Sequence, residues 1–293
     1  MISREEYIEL IKNEYPNDYL EIIDGLSKKR SNALRINTLK ITTSDALKRL
    51  DDLNIKYYKS DISDFSYLVS ATNKELMDLE MFKNGEIYLQ SLSSQLPPLF
   101  LDIEESQDIL DMCAAPGGKT SEIQMLGGNK KSIMALEADS IRCERLKYNL
   151  EHLGCRNINV MKKDSRTLDS FFRFDTILLD APCSGSGTIN ILNEKDLKAF
   201  SIKLVENSAR LQKSLLKKAL EVLKPGHSMI YSTCSILKME NEDVLKSVLN
   251  KNIELLPLDI NVELLPQSIP NTYTIKPSDK YEGFFIAKIK KIR

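Results

Sequence analysis

A chain of 293 residues with 28% charged and 42% hydrophobic residues has ordinary globular composition, enough for one large domain or two modest ones. Its formal net charge of −1 excludes a protein whose nucleic-acid binding is announced by bulk charge, and no uncharged apolar run is long enough to span a bilayer. The start, MISREEYIEL, lacks the apolar core of a signal peptide; five cysteines are an odd number, and neither His152 nor His227 stands near a cysteine pair at zinc-finger spacing, so a cytoplasmic protein without disulfide framework, membrane contact or metal site is expected.

In chain order, residues 4–26 have a helical pattern, followed by ALRINTL as a strand, SDALKRLDDL as a helix, IKYYKS and SYLVSA as strands, KELMDLEMF as a helix and EIYLQ as a strand. That order reads as an N-terminal helical segment, 1–30, and a small α+β domain, 31–105, with the boundary in the stretch 97–106. From 106 to 293, short β-rich runs at 108–112, 132–136, 158–162, 174–179 and 228–232 alternate with helical patterns such as SIRCERLKYNLEHLG and VENSARLQKSLLKKALEVL. The alternation predicts an α/β domain with a mainly parallel sheet and helices on both faces. Lys224-Pro225-Gly226 ends the second of those helices, and EGFFIAKIKKI alternates cleanly enough for an antiparallel edge strand. Charge is uneven: residues 1–105 carry 13 Lys+Arg against 19 Asp+Glu, the remainder 28 against 23, so the C-terminal part supplies most of the field for any polyanion.

The strand DILDM runs into CAAPGGKTSEIQML, a glycine-containing turn and then a helix start with free N–H groups. Neither GxGxxG nor GxxxxGK[ST] is present, so a phosphate cradle is not supported. The second strand ends on Glu137, where an acid accepts both ribose hydroxyls of a nucleoside. The third strand ends in Asp164 and the fourth in Asp180, so polar strand ends face one crevice. Any one of these acids is as readily a helix cap; several in register beside the turn favour a ligand. A nucleoside cofactor without a phosphate cradle points to S-adenosylmethionine.

LLDAPCSGSGT sets Cys183 just past the fourth strand, and YSTCSI sets Cys234 just past the fifth. A thiolate adds to carbon-6 of a pyrimidine and makes carbon-5 nucleophilic enough to take a methyl group. Asp180 is placed to activate the ring at N3 by hydrogen bonding, and a second thiol assists release as acid or base. These residues leave open which thiol attacks. A lone cysteine is usually a small buried hydrophobe, the reading that suits Cys143 and Cys155.

Together DMCAAPGGKT, LLDAPCSGSGT and YSTCSI resemble the Sun (Nol/Nop/Sun) family of RNA cytosine-5 methyltransferases, and the likeness extends over nearly the whole chain through ALRINTLK, GEIYLQSLSSQLPP, KKDSR, MENE and EGFFIAK. The resemblance implies a Rossmann-like methyltransferase domain preceded by an RNA-recognition-motif-like domain at 31–105. It implies that Cys234 is the nucleophile and Cys183 the release residue. It also implies that Cys113, Ala114, Ala115, Pro116, Gly117, Gly118 and Lys119 cradle the cofactor, with Glu137 and Arg142 at its ribose, Asp164 at adenine and Asp180 between cofactor and base; Lys119 is a further active-site contact. After SGSGT the family shows a basic pair, for which this chain has Asn190 and Ile191, an expected loss of phosphate contact. Its usual KPGG is KPGH here, with His227 in the turn. No added RNA-binding module is read before or after the core, so a monomer that finds its RNA alone or in a pre-formed particle is expected. Ribosomal RNA is the first substrate reading, transfer RNA its rival, and a non-catalytic RNA assembly factor the rival class, disfavoured by two intact thiols. Amine methylation typically uses an Asn/Asp-Pro-Pro-aromatic turn, where this chain has Asp180-Ala181-Pro182-Cys183.

Overall fold

The computed structural model describes residues 2–293, which form two compact units: Ser31–Leu178, and the residues up to Arg30 together with Leu179–Arg293. In the first unit a four-stranded antiparallel sheet has the order β2-β3-β1-β4, made of β1 (Asn32–Ile36), β2 (Tyr57–Lys59), β3 (Ser66–Val69) and β4 (Ile87–Leu89). Leu34, Ile36 and Ile87 from the strands meet Ala46, Leu50 and Leu76 from helices Thr43–Asp52 and Asn73–Asp78. Thr42 and Thr72 cap those helices by accepting from the N–H of Asp45 and Glu75. KELMDLEMF, read as one helix, is two, because Leu79 adopts extended backbone (φ −67°, ψ 142°) and restarts the chain as Glu80–Lys83. Pro97 and Pro98 lie inside helix Leu92–Leu99, in its last turn, rather than in a linker.

The same unit carries β5 (Asp108–Asp111), β6 (Ser132–Glu137), β7 (Ile158–Lys162) and β8 (Phe174–Asp180), of which only the last two residues of β8 fall in the other unit. β6 runs parallel to β5 on one side and β7 on the other, and β5 also pairs in parallel with β8. Phe174 to Leu179 are buried without a break, as a strand covered on both faces requires. The strand positions match the sequence reading to within about one residue at each end, the usual scatter of such boundaries.

Arg35 ties the small sheet to the helix after β5. Its guanidinium, 1% exposed, donates to the Gly118 carbonyl (2.8 Å) and Ser121 Oγ (2.6 Å) and pairs with Glu122 at 3.1 Å. Asn37, just past β1, donates to the carbonyls of Gly85 and Leu153. Burial outweighs Arg35 at Glu122 and pushes its carboxyl from the ordinary 4.5 up to about 7. An acid raised in the folded state favours folding while protonated, so this contribution is full below pH 4.5 and is lost as pH rises through about 7. Unfolding free energy is therefore expected to fall by at most about 3 kcal/mol across that window, with Glu122→Gln flattening the slope. Denaturant titration at a series of pH values measures it; an unchanged slope in the variant removes Glu122 as its source.

In the second unit the N-terminal pattern read as one helix is two, Arg4–Glu14 and Tyr19–Ser27, separated at Tyr15-Pro16, where the proline disfavours helical backbone before it. Tyr7, Ile11, Ile22 and Leu26 from these helices pack with Ile189, Phe200, Val205 and Ile236. The long helix Ile202–Val222 stops before KPG as expected, but β9 (Leu223–Thr233) starts directly at that signal, five residues earlier than read. β10 (Ile253–Leu256), β11 (Leu264–Leu265), β12 (Thr272–Ile275) and β13 (Phe284–Lys291) follow. β13 is antiparallel to β9 as predicted, yet it is interior and not an edge, because β12 and β10 pair along its other side. Its buried run Phe284 to Ala287 reflects that position.

Candidate active site

Cys183 and Cys234 lie on loops that leave β8 and β9, both in the second unit. Ala181 N–H donates to the Ser232 carbonyl (2.8 Å) and Ser232 Oγ donates to the Asp180 carboxylate (2.8 Å), which fixes the two strand ends side by side. The two sulfurs are 2.8 Å apart, and both thiols are free and partly exposed. The adjoining Cys234 sulfur, then burial and the Glu240 carboxylate, hold the Cys183 thiol well above the usual thiol range.

Around the thiols runs a dense set of hydrogen bonds. Glu240, wholly buried, accepts from Ser184 N–H (2.7 Å), Ser184 Oγ (2.6 Å) and Ser235 Oγ (2.6 Å). Burial raises its carboxyl above the usual range, against the lowering effect of those donors. Asn241 accepts from Thr233 Oγ1 (2.6 Å) and donates to the Ser235 carbonyl (2.9 Å). Tyr7 and Tyr15, from the N-terminal helix and its cap, donate to the carbonyls of Ser186 and Ile236, each at 2.6 Å. Gly187 N–H donates to the Cys234 carbonyl, and a Cβ on Gly187 would stand 2.0 Å from the Gly283 carbonyl oxygen, so only glycine allows this approach.

The first unit holds the other predicted residues. Thr120 Oγ1 donates to Asp111 at 2.6 Å across the turn after β5. Gly117 (φ +107°) opens helix Gly118–Leu126, and a Cβ there would sit 3.0 Å from Leu146 Cδ1. Glu137, 5% exposed at the end of β6, accepts from Asp139 N–H (2.9 Å) and lies 3.5 Å from Arg142, which also donates to the Ala115 carbonyl (3.0 Å). Arg142 thereby joins the strand-end acid to the turn of Cys113, Ala114, Ala115 and Pro116. Asp164, after β7, is gripped by Arg166, which lowers its carboxyl. Lys119 donates to Ser94 Oγ at 2.7 Å, a partner on helix Leu92–Leu99 that the sequence did not signal.

A sequence profile described as the 16S rRNA methyltransferase RsmB/F family matches residues 98–290. The chain belongs to that family. The ferredoxin-like domain of RsmF/B-like methyltransferases matches residues 5–69, and the fold is Rossmann-like with a mainly parallel, mixed sheet behind that N-terminal domain. The Sun-family resemblance is thereby borne out. Among the RsmB/F relatives, ribosomal RNA small subunit methyltransferase F of Aeromonas salmonicida is 32% identical over 285 residues, covering 92% of this chain and 60% of its own length. Its namesake from Salmonella agona is 33% identical over 288 residues, covering 93% and 59%. The chain thus spans about three-fifths of these relatives. A crystal structure of a methyltransferase homologue from Pyrococcus horikoshii superposes with a TM-score of 0.85 at 34% identity, covering 97% of this chain and 93% of that one. The structure of NSun6 from Pyrococcus horikoshii with SFG shares the fold at 23% identity and a TM-score of 0.87, covering 99% and 98%.

Two positions depart from expectation within this RsmB/F member. Ile191, read as a lost phosphate contact, is 1% exposed in the apolar cluster with Leu26 and Leu197, so its side chain serves the core. Asn190 closes the adjoining turn, with its own N–H on Asp196 and its Oδ1 accepting from Leu192 N–H. Sequence reasoning missed Glu240, Asn241, Tyr7 and Tyr15; MENE was noted, but nothing in its spacing says what it bonds to.

Proposed function

We propose that this chain transfers a methyl group from S-adenosylmethionine to carbon-5 of a cytosine in small-subunit ribosomal RNA, in the cytoplasm, by way of a covalent cysteine–pyrimidine adduct. The observation that carries the reading is the pair of free sulfurs at 2.8 Å on the loops that leave β8 and β9. Cys234 is taken as the attacking thiolate, as the Sun-family resemblance implies. Its lone pair forms the bond to carbon-6, the carbon-5 to carbon-6 π pair takes the methyl group at carbon-5 as the methyl–sulfur bond breaks and its pair stays on the sulfur of S-adenosylhomocysteine, and Asp180 holds a proton at N3. For release, Cys183, having given up its own thiol proton to solvent once the Cys234 sulfur is bonded to carbon, takes the carbon-5 proton as base, the C–H pair restores the double bond, and the carbon-6 to sulfur bond breaks to return the Cys234 thiolate. The names of the curated relatives favour ribosomal over transfer RNA. The four-stranded module of the first unit is proposed to face the RNA.

The turn in the first unit suits the cofactor. A Cβ at Gly117 would crowd Leu146, and a buried strand-end acid, Glu137, is held by Arg142 at the place where a ribose is bound in open α/β sheets. Bound there, S-adenosylmethionine supplies an electrophilic methyl on sulfonium. Residues Cys113 to Lys119 would hold it by backbone groups, Glu137 and Arg142 at the ribose and Asp164 at the adenine. Glu137→Ala is expected to weaken cofactor binding about a hundredfold, the loss of two hydrogen bonds to a charged acceptor, with no change in melting temperature. Isothermal calorimetry reads it, and unchanged affinity removes Glu137 from the ribose.

The test of the reaction uses labelled methyl donor with RNA from cells lacking this protein, followed by size fractionation and nucleoside analysis. Label in 5-methylcytidine of small-subunit ribosomal RNA is expected. Label in the transfer-RNA fraction overturns the substrate, and label in a nucleoside without carbon-5 methylation overturns the chemistry.

A further inference from the structure

Glu240 touches no reacting atom in the chemistry proposed above, yet it is wholly buried and ionisable, and besides a bond from the Gln212 side chain its carboxylate bonds to two residues that each directly follow a cysteine. Ser184 follows Cys183, and Ser235 follows Cys234. One carboxylate oxygen takes the Ser184 N–H at 2.7 Å; the other takes both hydroxyls at 2.6 Å. We infer that Glu240 is the positioning residue that sets the separation of the two working thiols.

The chemistry of the contact set supports a bridge over a proton donor. Three groups of the two serines and the Gln212 side chain donate to Glu240 and it accepts from all of them, an arrangement that suits an acceptor-only carboxylate. Two further bonds join the loops directly, Ser186 Oγ with Ser235 Oγ (2.8 Å) and Gly187 N–H to the Cys234 carbonyl (3.0 Å). Neither reaches a residue adjoining Cys183; on its other side the Pro182 carbonyl accepts from Gln212 Nε2 (2.8 Å), a bond to the long helix and not to the Cys234 loop. Asn241, the next residue of MENE, bonds only on the Cys234 side, to Thr233 and Ser235. The backbone holds Glu240 in turn, since its carbonyl accepts from Tyr231 Oη at 2.6 Å. A carboxylate anchored in this way orients both loops at once, and misplacement of a reacting group by about 1 Å costs on the order of a hundredfold in rate.

This inference rests on the reading of both cysteines as working groups, so its test separates geometry from catalysis. The short-span bifunctional thiol reagent dibromobimane is applied to the whole protein without RNA, and the bridged Cys183–Cys234 peptide is quantified by mass spectrometry. Glu240→Ala and Glu240→Asp should each slow bridge formation at least about tenfold, because neither side chain reaches both serines. Glu240→Gln should stay within about threefold, since its amide oxygen keeps the Ser184 N–H while its NH₂ donates to hydroxyls that can accept. Melting curves run alongside; should Glu240→Ala fail to fold, Glu240→Asp, which keeps the buried acid, reads the same geometry. In single-turnover methylation the same order should appear in the rate of adduct formation, with the RNA concentration for half-saturation unchanged.

Unaltered bridging in Glu240→Ala and Glu240→Asp overturns the inference. A Glu240→Gln variant as impaired as Glu240→Asp also overturns it, in favour of a role for the charge itself. If bridging follows the expected order and the unaltered protein methylates no RNA, the positioning stands and the proposed reaction falls.

Discussion

Cys234→Ala is expected to leave the proposed methyl transfer to ribosomal RNA below detection, a loss of at least about four orders of magnitude, while melting temperature and cofactor affinity stay unchanged. The size of the loss follows from the route. Carbon-5 of cytosine is too poor a nucleophile to take a methyl group until a sulfur has added at carbon-6, so removing the sulfur removes the path and not merely a contribution to it. Cys183 cannot substitute at 2.8 Å, because the neighbouring sulfur, burial and Glu240 hold its proton in place. The fold should survive, since the bond from Gly187 runs to the Cys234 backbone carbonyl, which alanine retains. Single-turnover transfer of labelled methyl to purified small-subunit RNA measures the rate. Activity within a factor of about ten of the unaltered protein would mean that the adduct, and with it the cytosine-5 reading, is wrong.

What could be read from the sequence divides along physical lines. β5 to β8 were legible because a strand buried on both faces must be a short, unbroken apolar run, as FDTILLD is from Phe174 to Leu179. The thiol pair was legible because two cysteines at neighbouring strand ends have few reasons to be there except chemistry. Position inside a sheet was not: EGFFIAKIKKI alternates like an edge strand, and the strands that cover its outer side, β10 and β12, carry weak signals of only four residues each. Pro16 broke the N-terminal helix, an effect visible in the sequence but overridden by the apolar periodicity on both sides of it. Glu240 and Tyr7 lay beyond reach for a different reason. Tyr7 meets Ser186 across 179 residues and Glu240 meets Ser184 across 56, and no local pattern encodes a partner at that separation. At Ile191, where the family's charge was expected to be lost, the side chain is 1% exposed in an apolar cluster, a tertiary placement that the missing charge did not signal.

Cys183→Ala should trap the protein on its RNA. After methyl transfer the adduct carries sulfur at carbon-6 and both methyl and hydrogen at carbon-5, and the carbon–sulfur bond breaks only when the carbon-5 proton has been taken. Removing the sulfur 2.8 Å from Cys234 takes away the proposed base and leaves the nucleophile intact. Its release into the adduct also relieves Cys183 of the neighbour that raises it, since a Cys234 sulfur bonded to carbon can no longer donate a proton or carry a negative charge. The base is thus strengthened or weakened by the state of its partner, and alanine abolishes that coupling altogether. The expected result is a slowly migrating protein–RNA band on a denaturing gel, dependent on methyl donor, with label incorporation ceasing at about one methyl per protein. Adding Cys234→Ala to the same chain must remove the band, because the bond that survives denaturation is the one from Cys234. Turnover at the unaltered rate without a band would assign release to another group, and Asp180, hydrogen-bonded to Ser232 at the end of β8, is the residue to change next.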